Sequence, residues 1–466
     1  KEGANTLAIE ASNAEAGPAG LAGRLVVEYE SGPNLVVDID RGWKVSDRAA
    51  PGWQGAEFNA AGWQAAQELG PLGIAPWGVT RVALVPPRTP SPHLRKEFTL
   101  EKPVRRARLY ATALGAYQAF LNGRRVGDEI LAPGWTDYRK RVQYQTYDVT
   151  PLVSRGRNAL GAILGDGWFA GSLGFDLSRF HFGPGPVRLR MQLNVEYADG
   201  TQETVGTDGS WRGRTGPILE SDIYAGETYD ARLALPGWDR PGYSDSSWRA
   251  AAVLTDRDPE LNAQVGPPIR ITQEVPTRQV TQPKPGVYVF DLGQNMVGWA
   301  RLKARGPAGT KVTMRFAEVL NPDGTVYRDN LRLARATDTY ILAGNGAETF
   351  EPHFTYHGFR YVEVTGLPGA AAPEMITGRV FHSAMPETSR LTTSSQLVNR
   401  LYQNILWGQR GNLMSVPTDC PQRDERLGWM GDAQIYVRAA TYHADVASFY
   451  NKWLREVEEA QLPSGA

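Results

Sequence analysis

Asp419-Cys-Pro-Gln-Arg-Asp-Glu-Arg-Leu-Gly-Trp-Met-Gly-Asp432 gathers four carboxylates, two arginines and a tryptophan into fourteen positions. Pro417 and Pro421 keep its front out of a helix, because proline lacks an amide proton and restricts the residue before it; Asp419 is therefore expected on an exposed turn. Gly428 and Gly431 let the backbone bend close to a ligand. Asp432 stands where the next helix should begin, and a helix N-terminus favours its anion. Two readings compete. In the plainer one Asp432 is a cap, Glu425 pairs with Arg423 or Arg426, and Trp429 is core, since charged loops are usually only solvated. In the other, the density of these groups in one non-repeating loop makes a site: a proton donor, carboxylates to grip hydroxyls, and a ring to cover a sugar face.

On both sides of this stretch the apolar period is helical. Leu397, Val398, Leu401, Tyr402, Ile405 and Leu406 form one stripe, with Ser394 available as N-cap. Val446, Phe449, Tyr450, Trp453, Leu454 and Val457 form another, with Lys452, Arg455, Glu456 and Glu459 expected off it and Asp445 as cap. A shorter helical run is expected over 433–441. Two or three amphipathic helices cannot bury both faces of a core, so Leu462-Pro-Ser-Gly-Ala466 is expected to fall inside a helical domain that is not yet closed.

Everything before about Thr392 reads as β. The first 260 residues or so repeat one module: Val27-Glu-Tyr29 parallels Val195-Glu-Tyr197, and Trp43 parallels Trp211 at the same offset. Gly52-Trp53, Phe58 and Trp63 parallel Gly237-Trp238, Tyr243 and Trp248 at an offset 17 residues longer, so the second copy holds an insertion, in which Ile218 to Arg232 lie. Gly3-Ala-Asn5 parallels Gly156-Arg-Asn158, but strand-like sequence precedes only the latter, so the first copy is expected to lack its front half. Leu189 to Tyr197 alternates with period two and turns at Asp199-Gly200, while Asn122-Gly123 is a hairpin signal. Tyr288 to Trp299, Val312 to Glu318 and Phe359 to Thr365 predict a third β-sandwich. The expected fold is multidomain and mainly β: tandem jelly-roll modules and a β-sandwich, followed by helices. The boundaries are 1–85, 86–272, 273–388 and 389–466.

Lysine plus arginine equals aspartate plus glutamate at 50 each, so no net field steers the chain toward nucleic acid or an anionic membrane. No apolar run is long enough to span a bilayer. Cys420, the single cysteine, excludes an internal disulfide, and anions beside it disfavour a thiolate nucleophile. Six scattered histidines show no metal-ligand spacing and no clear run of oxygen ligands is present, so no cofactor is expected, with calcium kept as the lesser alternative. Asp137, Asp166, Trp135 and Trp168 are candidates for a sugar-binding face. Glu227 and Asp230 are candidates for an inter-domain salt bridge, and His357 for a backbone partner. Lys1 opens the chain without a basic-then-apolar leader, leaving cytoplasmic and secreted locations both open; the oligomeric state is equally open.

The 419–432 stretch resembles the signature of the bacterial α-L-rhamnosidases of glycoside hydrolase family 78. Residues 121–138 and Tyr224-Ala-Gly-Glu-Thr-Tyr-Asp-Ala-Arg232 resemble that family's N-terminal jelly-roll. Phe290 to Trp299 and Phe354 to Val362 resemble its next β-domain. The resemblance implies the beginning of an (α/α)6 barrel of six helical hairpins, and inverting removal of terminal α-L-rhamnose from glycosides or polysaccharides. It makes Glu425 the general acid, Asp419 and Asp432 the carboxylates on rhamnose hydroxyls, Trp429 the aromatic wall, and Arg423 a further sugar-binding or orienting group. The acid should have a raised pKa, from burial or from repulsion by Asp424. The family's base is a glutamate further along the helical domain, so this chain by itself is expected to be inactive. The alternatives are a noncatalytic carbohydrate-binding or scaffolding fragment, and a glycosidase for another deoxy or uronic sugar.

Overall fold

The computed structural model describes residues 6–11, 20–21, 23–27, 35–70, 89–175, 178–257 and 259–465. The chain divides into two compact units, Lys1–Leu84 and Val85–Ala466. In the first, Arg24–Val27 pairs antiparallel with Leu35–Asp38, and Lys44–Val45 with Gln64–Ala65. The duplication is visible in the internal geometry of each unit. In the first, the Trp43 indole donates to the carbonyl five residues earlier, at Asp38, and the Trp43 carbonyl accepts from Ala66 N–H at 2.8 Å. In the second, Trp211 donates to Gly206 and accepts from Ala251 N–H, also at 2.8 Å. Trp53, Phe58 and Trp63 form an aromatic trio, as do Trp238, Tyr243 and Trp248. The matching positions Gly3 to Asn5 and Glu28 to Gly32 lie outside the described residues.

The second unit begins with a six-stranded sheet, in which Pro92–Leu100 and Gly156–Gly165 are central, and a five-stranded one built on Val104–Leu114 and Arg188–Tyr197. Alternation along these strands points Leu109, Ala111, Leu160, Leu193 and Val195 into one core with Trp211. Asn122 and Gly123 both take positive φ, 54° and 80°, as a two-residue hairpin requires. After Gly156–Gly165 comes α1 (Gly167–Ala170), a single buried turn.

The insertion of the second copy forms a bridge. Its hairpin, Ile218–Asp222 and Gly226–Asp230, leaves the jelly-roll and adds to the next domain's sheet, Thr228 to Asp230 running parallel to Thr339 to Ile341. Glu227, fully buried, accepts from the His353 and Phe354 amides and meets His353 Nδ1 at 2.8 Å, so it is an inter-domain pair as expected; Asp230 instead holds its neighbour Arg232. The next domain is one ten-stranded sheet including this hairpin. Its long strand, Val287–Arg305, changes partners along its length: Gln279–Lys284 and the end of His357–Thr365 at the front, Ile376–Ser383 and Ala347–Phe350 at the rear. A register shift between Asp291 and Met296 marks the bend. Phe290, Trp299, Phe316, Phe359 and Phe381 fill a core continuous with the hairpin's Ile218 and Ile223 and with Met414 beyond.

Three longer helices follow: α2 (Gln396–Asn412), α3 (Met430–His443) and α4 (Ala447–Ala460). Ser395, not Ser394, caps α2, because its hydroxyl reaches Val398 N–H at 3.4 Å. The α2 stripe is only half used: Tyr402 and Leu406 are buried, whereas Leu397, Val398 and Leu401 face outward. In α4, Lys452 and Glu456 are buried rather than off the stripe, since Arg141 and backbone carbonyls of Trp135 and Ser415 meet them there. Among the described residues no helix is long and apolar enough to cross a membrane.

Candidate active site

The loop between α2 and α3 is built around Arg426. Its guanidinium is almost wholly buried and donates to carbonyls of Ile223, Tyr356, Gln422 and Arg423 at 2.8–3.1 Å. It also lies over the rings of Tyr224 and Tyr356, 4.9 and 4.7 Å from their centroids. Arg426 therefore fastens the loop to both β-domains and is not the partner of Glu425. A bridge between Thr418 and Gly428 closes the loop's neck. Inside it the backbone is strained: Glu425 has φ 135° and Arg426 φ 46°, conformations that L-residues keep only when their surroundings impose them.

The Glu425 carboxylate accepts from two guanidinium groups, Arg423 at 3.0 Å and Arg332 at 3.0 Å. Arg332 arrives from the ten-stranded domain, itself at φ 53°, and also holds Asp424 at 2.5 Å. The Glu425 carbonyl accepts from the Tyr224 hydroxyl of the bridging hairpin. Asp419 lies beside Glu425, taking a long 3.4 Å contact from Arg423, while its Oδ1 has no partner among the described residues. Its side chain is largely buried, not on an open turn, because the loop folds back over it.

These contacts reverse the expected proton affinity. Burial pushes the Glu425 carboxyl up, but hydrogen bonds from Arg332, Asp419 and Arg423 outweigh it and hold the group below its ordinary value. Asp424 adds no free repulsion, since Arg332 holds it. The Asp419 carboxyl is raised instead, by burial and by the neighbouring Glu425 charge, against the opposing Cys420 thiol. Cys420 is buried and pushed up to about 12, which removes it as a nucleophile.

Trp429 is not core. It precedes α3, is 39% exposed, and lies 6.4 Å from the ring of Phe175. Asp432 is exposed in the first turn of α3 and, among the described residues, makes no ion pair with the Glu425 cluster. The loop thus brings Asp419, Arg423 and Glu425 into direct contact, with Trp429 and Asp432 at the helix that follows. Asp419, Cys420 and Glu425 place donor atoms within 4.8 Å of one another, yet the two arginines already supply the positive charge that a cation would bring. Arg332, Tyr224 and Phe175 are the contributors that sequence patterning misses; the one available signal was Tyr224, at the head of the inserted motif.

The other sequence candidates resolve differently. Trp135 stacks on Trp168 at 5.9 Å, but Trp168 is buried, and Asp137 and Asp166 are committed to Arg139 and Arg179. Trp168 is thus withdrawn from solvent, and both carboxylates are engaged by guanidinium groups. His357 partners the Asp338 carboxylate at 3.2 Å, not a backbone group, because both are buried beneath Phe316.

Comparison with known proteins gives three domain families in sequence order. The α-L-rhamnosidase N-terminal domain matches residues 102–273, the bacterial α-L-rhamnosidase concanavalin-like domain 281–382, and the bacterial α-L-rhamnosidase six-hairpin glycosidase domain 386–466. An α-L-rhamnosidase of Streptomyces avermitilis is 53% identical across 100% of this chain and 45% of its own length. One from Formosa agariphila is 40% identical across 80% of this chain and 40% of its own. The crystal structure of the Streptomyces avermitilis enzyme complexed with L-rhamnose superposes with a TM-score of 0.83 at 51% identity, covering 97% of this chain and 44% of that one. The Dictyoglumus thermophilum enzyme gives 0.78 at 42%, covering 81% and 42%. The chain therefore spans less than half the length of these relatives.

Proposed function

Because the chain belongs to the bacterial α-L-rhamnosidases of glycoside hydrolase family 78, we propose that it carries the acid side of an exo-acting, inverting α-L-rhamnosidase. Glu425 protonates the departing glycosidic oxygen. Asp419, Arg423 and Asp432 bind rhamnose hydroxyls, and Trp429 covers one face of the sugar. In such a mechanism the base stands roughly 6.5–9.5 Å from the acid, leaving room for water; no residue of this chain is assigned to it. The same reading divides the chain at 1–85, 86–272, 273–388 and 389–466.

The observation that best supports this reading is the Asp419–Glu425 pair, two carboxyls in one strained loop with opposite shifts in proton affinity. Carboxyls perturbed together in one strained loop mark a candidate functional site. In the free protein burial and the Glu425 charge raise the proton affinity of Asp419, while the arginines lower that of Glu425. Sugar hydroxyls that draw Arg423 or Arg332 away would let Glu425 take up a proton, since each arginine lowers its affinity. The test uses the full-length protein that contains this chain. Release of rhamnose from methyl and aryl α-L-rhamnosides is expected, with inverted anomeric configuration by NMR. Preference for a fucoside or a uronide, or a retained anomeric configuration, defeats the proposal.

A further inference from the structure

Phe175 is 49% exposed, and the backbone just before it is tied down. The preceding Gly174 bridges to Glu425, and Gly174 N–H donates to the Tyr224 hydroxyl at 2.9 Å; that hydroxyl donates in turn to the Glu425 carbonyl. Ser172 N–H is held by the buried Asp222 at 2.8 Å. One hydroxyl thus ties the Phe175 loop and the Glu425 backbone together. The ring lies 6.4 Å from Trp429, tilted by 49°, and carries the Arg332 guanidinium 5.5 Å over it. Contacts run in order from Asp419 through Arg423 to the Glu425 carboxylate, then through Arg332 to Phe175.

Phe175 is thus linked to the Glu425 carboxylate through Arg332, whereas Asp419 is linked to it through Arg423. A general acid touches the oxygen that joins the cleaved sugar to the rest of the substrate, so its two flanks face different parts of the molecule. Asp419 and Arg423 hold the sugar side. A half-exposed ring beside Arg332, supplied by the jelly-roll, can present an apolar face to the leaving group. We propose that Phe175 is a specificity residue for the leaving group, stacking on a flat aromatic aglycone at the site where Glu425 delivers its proton. The inference rests on the rhamnosidase reading above.

The test compares two substrates in the full-length protein: an aryl α-L-rhamnoside, whose leaving group can stack, and methyl α-L-rhamnoside, whose leaving group cannot. Phe175→Ala is expected to raise KM for the aryl rhamnoside about three- to tenfold. KM for the methyl rhamnoside, and inhibition by free rhamnose, should move much less than the aryl KM. Phe175→Tyr, which keeps the ring, is expected to restore the aryl KM. An equal loss on both substrates, or a shared shift of both pH profiles, makes Phe175 a mere cover for Arg332 and overturns the inference, as does an unchanged aryl-to-methyl ratio. A parent protein that cleaves neither rhamnoside brings down the functional reading itself, which is a separate outcome.

Discussion

Glu425 and Glu456 each lie within ion-pair distance of two cations, Arg332 and Arg423 for the first, Lys452 and Arg141 for the second. Their proton affinities nevertheless move in opposite directions. Burial dominates at Glu456 and raises it despite Lys452 and Arg141, and burial likewise lowers Lys452. At Glu425 the guanidinium groups prevail. The backbones differ as well. Glu456 belongs to a regular helix, whereas Glu425 sits at φ 135°. The Glu456 cluster is closed: Lys452 donates to the carbonyls of Trp135 and Ser415 and to the Ser415 hydroxyl, and Arg141 also holds Glu459 at 2.6 Å. That arrangement fastens α4 to the jelly-roll. Around Glu425 the two arginines remain 37% and 41% exposed, so a ligand can displace them. Charges enclosed among buried partners are built to hold; charges strained and half open are built to exchange partners.

Substitution at the two glutamate clusters should separate them. Glu425→Gln is expected to lower kcat/KM on methyl α-L-rhamnoside about 10²- to 10⁴-fold, the range for loss of a positioned acid. Tm should stay within about 3 °C of the parent. A good leaving group, needing little protonation, should recover part of the rate. A large fall in Tm with little change in rate would make Glu425 a fastening like Glu456.

Lys452→Ala should do the reverse. It strands Glu456 and three acceptors in a buried place, at about 3–5 kcal/mol, as when one partner of a buried ion pair is removed. The urea midpoint of the transition that includes the helices should fall accordingly. Arg332→Ala should cost less than Lys452→Ala, because the Arg332 side chain is 41% exposed and screened by solvent. Its effect belongs in the pH profile. Arg332 holds the Glu425 affinity down, and an acid works only while protonated, so activity is lost as pH rises through its pKa. Without Arg332 that pKa rises and the alkaline limb of kcat/KM moves to higher pH. A limb that stays in place would show that Arg332 does not govern the proton on Glu425.

The sequence disclosed these clusters unequally. The 419–432 loop and the helices flanking it could be read directly, because proline, glycine and apolar spacing are local signals. So could the duplicated module, since its tryptophans make the same contacts in both copies. Arg332 could not, because it reaches Glu425 from another domain 93 residues away in sequence and nothing in its own stretch marks it. Lys452 and Glu456 were misjudged for a related reason. A helical stripe assigns charge to the solvent side, and only the opposing surface, with Arg141 and unpaired carbonyls, makes burial favourable. The direction of the Glu425 shift failed likewise: burial was foreseeable, whereas a second arginine brought in by folding was not.

Arg455 offers the smallest and cleanest control. It lies on the same helix as Lys452, three residues on, and pairs with Glu260 at 3.3 Å and Glu459 at 3.4 Å, with its side chain 42% exposed. Two partners and a correct sign would suggest a strong contact if ion pairs were simply counted. Solvent screening and the entropy of ordering long side chains argue otherwise. Arg455→Ala is expected to shift stability by no more than about 0.5 kcal/mol, and raising the salt concentration should erase even that difference in the urea midpoint. A loss approaching that of Lys452→Ala would mean that charge, not enclosure, fastens α4, and the distinction drawn between the two glutamates would lose its physical basis.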